Sequence, residues 1–198
     1  MTKEILHVVA SPRAADSYSF RLGEAIVQRL AGGSERYHVR YRCLHCSPPA
    51  YLSALQIQAF YKAAQARDDE EQASLRYSDA AIKDILAATH IVISTPMYNM
   101  GIPACLKGWI DQVIRINVTF RYDDHRRKIG MLPDKKMYIA IASGRIHGIH
   151  ENSSDFMAGY LAAVFKEIGI TDIKIYRVEG TRAKDIHDID FPDIITDL

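Results

Sequence analysis

His90-Ile91-Val92-Ile93-Ser94, followed by Thr95-Pro96-Met97-Tyr98-Asn99-Met100-Gly101, is the stretch that decides the fold. An unbroken apolar run of strand length is what a strand covered on both faces requires. The loop after it cannot continue a sheet, and Pro103 stands where the first turn of a helix tolerates proline. Leu106, Trp109, Ile110, Val113 and Ile114 then recur at i, i+3, i+4, i+7 and i+8, the strongest amphipathic helix signal in the chain. A buried strand, a short loop and a helix make up half of a βαβ unit.

Upstream, Ile5-Leu6-His7-Val8-Val9 is a second buried run that stops at Ala10-Ser11-Pro12. A helix follows from near Ser19, with Leu22, Ala25, Ile26 and Leu30 on one face and Gly32-Gly33 closing it. Tyr37 to Arg42 reads as a strand near an edge, with Val39 and Tyr41 on one face. Between Cys43 and Ser78 the chain is irregular at first, with Pro48-Pro49. Ser53-Ala54-Leu55-Gln56 then has capping-box spacing and predicts a helix through Phe60, Ala63 and Ala64. Arg67-Asp68-Asp69-Glu70-Glu71 reads as a solvated turn or helix end, and a helix from about Ser78 turns Ile82, Ile85 and Leu86 to the core.

Downstream, Met137 to Ala142 is a buried strand that ends at Ser143-Gly144. A helix carrying Phe156, Tyr160, Leu161, Val164, Phe165 and Ile168 is broken by Gly169, and Asp172 to Val178 is a fifth strand by its β-branched content. Asp185 to Leu198 reads as an acidic tail with Pro192 and no firm structure. Strands alternating with helices predict an α/β fold: a doubly wound five-stranded parallel sheet with helices on both faces. It forms a single domain over residues 1–182, with a C-terminal tail over 183–198.

At about 150 residues per domain, 198 residues fit one domain of ordinary size. The 48% hydrophobic and 25% charged contents are those of a folded chain, and 25 Lys plus Arg against 24 Asp plus Glu leave no field that would recruit nucleic acid or an anionic membrane. Cys43, Cys46 and Cys105 are too few and too irregular for a secreted disulfide framework, and no signal peptide is visible, so the cytoplasm is the expected compartment. The apolar stretches fall well short of the roughly 20 residues of a membrane helix.

In doubly wound sheets, ligands sit outside the carboxyl ends of the strands, where the strand order switches. Three loops meet that description: Ser11 to Ser19, Thr95 to Gly101, and Ser143 to His150. The first lacks both G-x-G-x-x-G and G-x-x-x-x-G-K-[ST]. Instead, Ser11, Ser17 and Ser19 precede a helix, and hydroxyls with free N–H groups at a helix N-terminus can hold a phosphate dianion. Ser17 or Ser19 alone could equally be a helix cap. The second loop, Pro96-Met97-Tyr98-Asn99-Met100, has a thioether and an aromatic for the face of a flat ring and amide donors for its edge.

The Ser-x5-Ser-x-Ser loop, Pro96-Met97-Tyr98-Asn99, Val118-Thr119-Phe120-Arg121-Tyr122 and Gly169-Ile170-Thr171-Asp172 resemble, in order, the FMN-dependent NADH azoreductase and quinone reductase family. The similarity runs roughly from Lys3 to Gly180. The resemblance implies a flavodoxin-like fold and a homodimer with FMN at each subunit interface. It also implies two-electron transfer from NADH or NADPH to quinones, with azo cleavage as a related activity. Ser11, Ser17, Tyr18 and Ser19 would hold the FMN phosphate, and Pro96, Met97, Tyr98, Asn99 and Met100 would run along the isoalloxazine. Ser143, Gly144, Arg145, Ile146 and His147 would approach its pyrimidine edge. There, backbone N–H groups of Gly144 or Arg145, or the His147 imidazole, are candidate donors to N1 and O2, and a backbone donor near Asn99 would meet N5. Phe120 and Tyr122 belong either to the core or to a substrate pocket at the dimer interface. No catalytic side-chain nucleophile is expected.

The chain departs from the family pattern where Met100 replaces an aromatic. It departs again where Ser143-Gly144-Arg145-Ile146-His147 replaces Ser-Arg-Gly-Gly, which leaves His147 and His150 as alternatives at the ring edge. A flavin reductase that releases reduced FMN and a non-catalytic flavodoxin-like carrier are the competing functions. Cys43-Leu44-His45-Cys46 lacks the partners of a zinc site and, with Ser47-Pro48-Pro49 after it, the helix of a thioredoxin-type pair. No metal is expected. Ser143 lacks the first glycine of G-x-S-x-G, and Ala10-Ser11 stands where a receiver domain needs acids. His125-Arg126-Arg127-Lys128 is a solvated loop or a contact to a dinucleotide phosphate.

Overall fold

A computed structural model describes residues 3–33, 36–146, 155–182 and 189–198. Five parallel strands, β1 (Lys3–Val9), β2 (Tyr37–Cys43), β3 (His90–Pro96), β6 (Lys136–Ala142) and β7 (Asp172–Val178), form one sheet in the order β2-β1-β3-β6-β7. β4 (Phe120–Tyr122) and β5 (Lys128–Gly130) form a separate antiparallel hairpin. The expected flavodoxin-like architecture is therefore present. β1, β3 and β6 are buried along nearly their whole length, while β2 and β7 take the half-exposed edges.

The sheet divides the core in two. On one face, Leu6, Val8, Ile91, Ile93 and Ile139 meet α4 (Arg76–Ala87), α5 (Ala104–Val113) and α6 (Phe156–Lys166), which contribute Ile85, Trp109 and Phe165. On the other face, Ile5, Val92 and Ala140 meet Leu22 and Ile26 of α1 (Tyr18–Ala31). Fully burying each such side chain contributes roughly 1.5–3 kcal/mol against its exposure in the unfolded chain.

Four readings of the sequence are refined or corrected. Of the two readings of the Arg67–Glu71 run, a solvated turn or a helix end, the second holds, because the run opens α3 (Asp69–Ser74). Asp68 accepts the Glu71 N–H at 2.8 Å and Glu71 accepts the Asp68 N–H at 3.0 Å, a complete capping box, with Lys62 pairing the buried Glu71 carboxylate at 2.7 Å. By contrast, Ser53 caps α2 (Ala54–Tyr61) but Gln56 does not reciprocate, because its amide bonds the buried Gln112, and the helix stops short of Ala63. Leu86 is exposed while Ile82 and Ile85 face the core. Within the tail, α7 (Phe191–Ile194) is a proline-initiated turn of helix that buries Phe191 and Ile195 beside α1. Ile189, Ile194 and Leu198 pack beside them on the same cluster.

Candidate functional site

The first strand-end loop brings its serines together in a way that a helix cap does not explain. Ser17 occupies the N-cap of α1, yet its hydroxyl caps nothing; it lies 2.9 Å from the Ser19 hydroxyl, and both side chains are buried. The first turn of α1 carries no acidic residue. Its opening N–H groups have no intrahelical acceptors, and an uncapped helix end with two clustered hydroxyls has the chemistry to accept an external anion. Ser11 is buried and accepts the Arg13 N–H at 3.3 Å, which shapes the entry to the loop. The Tyr18 side chain packs against the α1-side core.

The second loop is a two-residue hairpin. Tyr98 and Gly101 exchange both N–H···O bonds at 3.0 Å, and the central residues Asn99 and Met100 have φ of 50° and 67°. Two positive φ values define a type I′ turn, which asparagine tolerates and methionine resists by about 1–2 kcal/mol. The turn leaves the N–H groups of both central residues without partners among the described residues. Met97 donates its N–H to Ala142 at 2.8 Å and packs on the core, extending β3 beside β6, and Pro96 ends the strand. Tyr98 and Met100 remain exposed. Met100→Gly should relieve the turn and stabilise the fold by roughly 0.5–1 kcal/mol after glycine's entropic cost. A urea midpoint below that of the parent chain would contradict this.

The third loop is held from behind by the end of β7. The Ser143 N–H donates to Val178, and its carbonyl accepts both the N–H and the hydroxyl of Thr181, at 3.0 and 3.1 Å. Its own hydroxyl donates to the Arg145 carbonyl at 2.7 Å, so this serine shapes the loop rather than reaching outward. A Cβ on Gly144 would press on the Arg182 side chain, and Ile146 packs on Gly180 while staying half exposed. His147, and the alternative His150, lie outside the described residues.

These loops sit at the carboxyl ends of β1, β3 and β6, on either side of the point where the chain reverses its direction of strand addition. A family model described as a flavodoxin-like fold matches residues 3–193. The chain belongs to that family. It is 30% identical over 196 residues to an FMN-dependent NADH:quinone oxidoreductase of Hahella chejuensis, covering 98% of this chain and 96% of the relative. It is 37% identical over 181 residues to one of Alcanivorax borkumensis, covering 91% and 90%. Among solved structures it is similar to an azoreductase from Bacillus anthracis, with a TM-score of 0.83 and 25% identity over 97% of this chain and 90% of that one.

In this flavodoxin-like chain, Phe120 and Tyr122 do not join the strand-end loops. They lie on the β4–β5 hairpin, which is tethered at the opposite, amino end of the sheet by Leu132 N–H to Ile168 O and by Lys128 to Glu167. Phe120 is buried under the Lys128 ammonium, and Tyr122 is exposed. The basic cluster is a solvated hairpin tip in which Arg127 pairs with Asp123.

Sequence reasoning missed a buried polar chain that ties the first two loops together. His7 of β1 is fully buried between Glu24 of α1, at 2.9 Å, and Ser94 of β3, at 2.7 Å. An ionised carboxylate only accepts, so Nδ1 donates to Glu24 and the Ser94 hydroxyl supplies Nε2 when the ring is neutral. Gly23 makes room for this chain: a Cβ there would stand 1.9 Å from Ser94 Oγ. A histidine inside an apolar strand was the only signal available. A groove of about 600 Å³ between α1 and α7, lined by Phe20, Arg21, Glu24, Gln28 and Phe191 among others, contains none of the expected site residues.

The His7 hydrogen bond, opposed by partial burial, holds the Glu24 carboxyl below its ordinary value of 4.5. A carboxyl whose folded value lies below its unfolded one contributes stability in full above the unfolded value and loses it as pH falls through the folded one. Stability should therefore fall on acidification below 4.5. Glu24→Gln keeps an acceptor for His7 without the charge and should remove that part of the acid limb. Unfolding midpoints measured from pH 6 to about 3 test this, and identical acid limbs for the two proteins would count against it.

Among the described residues, no helix is long and apolar enough to cross a membrane, and no group of three or more His, Cys, Asp or Glu is placed to hold a metal ion. Cys43 and Cys46 are joined by a disulfide.

Proposed function

We propose that this chain is an FMN-dependent oxidoreductase that passes two electrons from NADH or NADPH to quinones, with reductive cleavage of azo compounds as a related activity. It acts as a cytoplasmic homodimer. The observation that carries the reading is the uncapped, hydroxyl-lined start of α1, set across the sheet's switch point from a turn with two free N–H groups. That arrangement fits FMN: a dianion at one end, and a flat ring needing donors at its edge and apolar cover on its face. The names of the curated relatives support the oxidoreductase over a flavin-releasing enzyme or a carrier.

In this reading, Ser11, Ser17, Ser19 and the N–H of Tyr18 hold the phosphate. Pro96 to Met100 run beside the isoalloxazine, with an N–H of the Asn99-Met100 turn at its edge. Ser143 to Ile146, with His147, cover the pyrimidine side. When bound, FMN supplies the two-electron chemistry. The chain supplies position: preorganised donors that need not reorient during the reaction, and one open face on which nicotinamide and acceptor take turns. No side-chain nucleophile is required, and ping-pong kinetics follow.

The dimer is supported by the large apolar surface that Tyr98, Met100, Ile146 and Phe156 leave uncovered near the strand-end loops. In such a dimer Tyr122 and Phe120, 5.7 Å apart and away from the strand-end loops of their own chain, would line the substrate pocket of the neighbouring copy.

The test is to purify the protein, record its flavin absorption, weigh it by light scattering, and follow NADH and NADPH oxidation with and without a quinone. Quinone-dependent turnover by a yellow dimer is expected. A colourless protein that FMN cannot reconstitute overturns the reading, and bound flavin without quinone-dependent turnover favours the carrier. Met100→Gly, although more stable, should turn over quinone more slowly because the ring loses its thioether contact.

A further inference from the structure

The Cys43–Cys46 pair ends β2 at the carboxyl edge of the sheet, in register with Val9 of β1. The short turn that carries it is held by bonds other than the disulfide. Leu44 between the cysteines is fully buried and donates its N–H to Val9 O at 2.9 Å, and the Ser47 N–H reaches back to Cys43 O at 3.1 Å. The pair thus sits in one helical turn despite Pro48 and Pro49. Opening the S–S bond would release a ring with only two residues between the cysteines, which gains little from loop closure compared with a long one. A staple that constrains so little, in a turn already anchored, is poorly explained as a stability device.

Access and leaving-group chemistry favour exchange. Cys46 and the intervening His45 are exposed, whereas Cys43 is half buried. The Cys46 N–H points at Cys43 Sγ from 3.0 Å, placed to stabilise a thiolate there. We propose that Cys43 and Cys46 form a reversible thiol–disulfide exchange site for a dithiol reductant, with Cys46 as the attacked sulfur. A thiolate of the reductant bonds to Cys46 Sγ, the S–S bond breaks, and the electron pair leaves on Cys43 Sγ, which takes up a proton. The second thiol of the reductant gives up its proton and attacks the mixed disulfide. Cys46 is released as a thiol and the reductant becomes a disulfide, so two electrons and two protons pass to the pair. The anchored turn keeps the two sulfurs adjacent after reduction, which makes the reverse step fast. The site is independent of the flavin reading and needs no bound FMN.

The test uses the full chain, folded and without flavin, equilibrated in graded mixtures of reduced and oxidised dithiothreitol and quenched with N-ethylmaleimide for peptide mass spectrometry. Cys43 and Cys46 are expected to be labelled together or not at all, with the same midpoint from both directions and an unchanged circular dichroism spectrum, while Cys105 labels independently. Cys43→Ser should retain a thiol that captures glutathione disulfide as a stable adduct at Cys46, faster than Cys46→Ser does at Cys43. The proposal is overturned if the disulfide opens only after denaturation, or if both thiols persist in fully oxidised dithiothreitol. Faster adduct formation at Cys43 than at Cys46 also overturns it. Because none of these readouts involves flavin or turnover, their failure leaves the oxidoreductase assignment untouched, and the reverse also holds.

Discussion

Gly130→Ala is expected to cost about 3 kcal/mol or more and, at about 2–4 °C per kcal/mol for a chain of this size, to lower the melting temperature by roughly 6–12 °C. The reason is what the new methyl group would meet. A Cβ at Gly130 would stand 2.0 Å from the Gly169 nitrogen, 2.3 Å from the Ile168 carbonyl carbon and 2.4 Å from Gly169 Cα. All three atoms are main chain and cannot rotate away as a side chain would. Gly169 has a φ of 96° and is itself held against the Gly130 and Leu132 main chain, so the two backbones can relieve the overlap only by moving apart. The clash would lift the β4–β5 hairpin from the end of α6 and break Leu132 N–H to Ile168 O. Gly159, exposed within α6 and with nothing within 4 Å of an added Cβ, is the control. The same substitution there should stabilise by roughly 0.5–1 kcal/mol through helix propensity. Thermal unfolding of the two variants checks both signs, and a Gly130→Ala protein melting within a degree of the parent would refute the clash.

That hairpin also marks where legibility ended. The five long strands could be read because each is an apolar run long enough for periodicity to speak, and their alternation with helices led to the right sheet. Phe120 to Tyr122 is only three residues long and pairs through a loop of charged residues, so no local pattern separates it from the end of a helix. Its position comes from the Gly130–Gly169 approach, a contact between residues far apart in sequence. α7 is a different case: Phe191, Ile194, Ile195 and Leu198 recur at i, i+3, i+4 and i+7, a helical spacing that the charge of the tail obscured. For Arg67–Glu71, composition left a turn and a helix end both open, and spacing would have decided: Asp68 and Glu71 stand three apart, as a capping box requires.

The candidate site was legible as residue types at strand ends, less so as conformations. Asn99 at positive φ is ordinary, whereas Met100 at 67° is a strained choice that no propensity would assign. Strain of this kind persists where surrounding structure imposes it, and here two cross-turn hydrogen bonds at 3.0 Å do so. The His7 chain was invisible because its partners, Glu24 and Ser94, come from α1 and β3. It links α1, the strand that leads to the serine loop and the strand that leads to the Asn99 turn, adding a side-chain tie to the β1–β3 ladder.

Replacing both Ser17 and Ser19 by alanine is expected to weaken FMN binding about a hundredfold while leaving the flavin-free protein almost as stable as before. The two hydroxyls bond each other at 2.9 Å and neither caps α1. Removing both therefore leaves no buried partner unsatisfied, which is the nearly neutral case, whereas removing one orphans the other at about 1–3 kcal/mol. Toward a phosphate dianion, each hydroxyl makes a hydrogen bond to a charged group, worth about 1.5–3 kcal/mol. Losing both should cost about 3 kcal/mol or more, and about 1.4 kcal/mol is tenfold in affinity. The flavin-free melting temperature should stay within a few degrees of the parent, and most of the rise produced by excess FMN should vanish. Asn99→Gly is the complementary variant, because it keeps the left-handed turn and both free N–H groups while deleting the side chain. It should bind FMN with little loss and, if the turn's N–H rather than the amide side chain meets the ring, should be reduced by NADH at close to the parent rate. A double serine variant that binds FMN as tightly as the parent would place the phosphate elsewhere and remove the observation on which the functional reading rests.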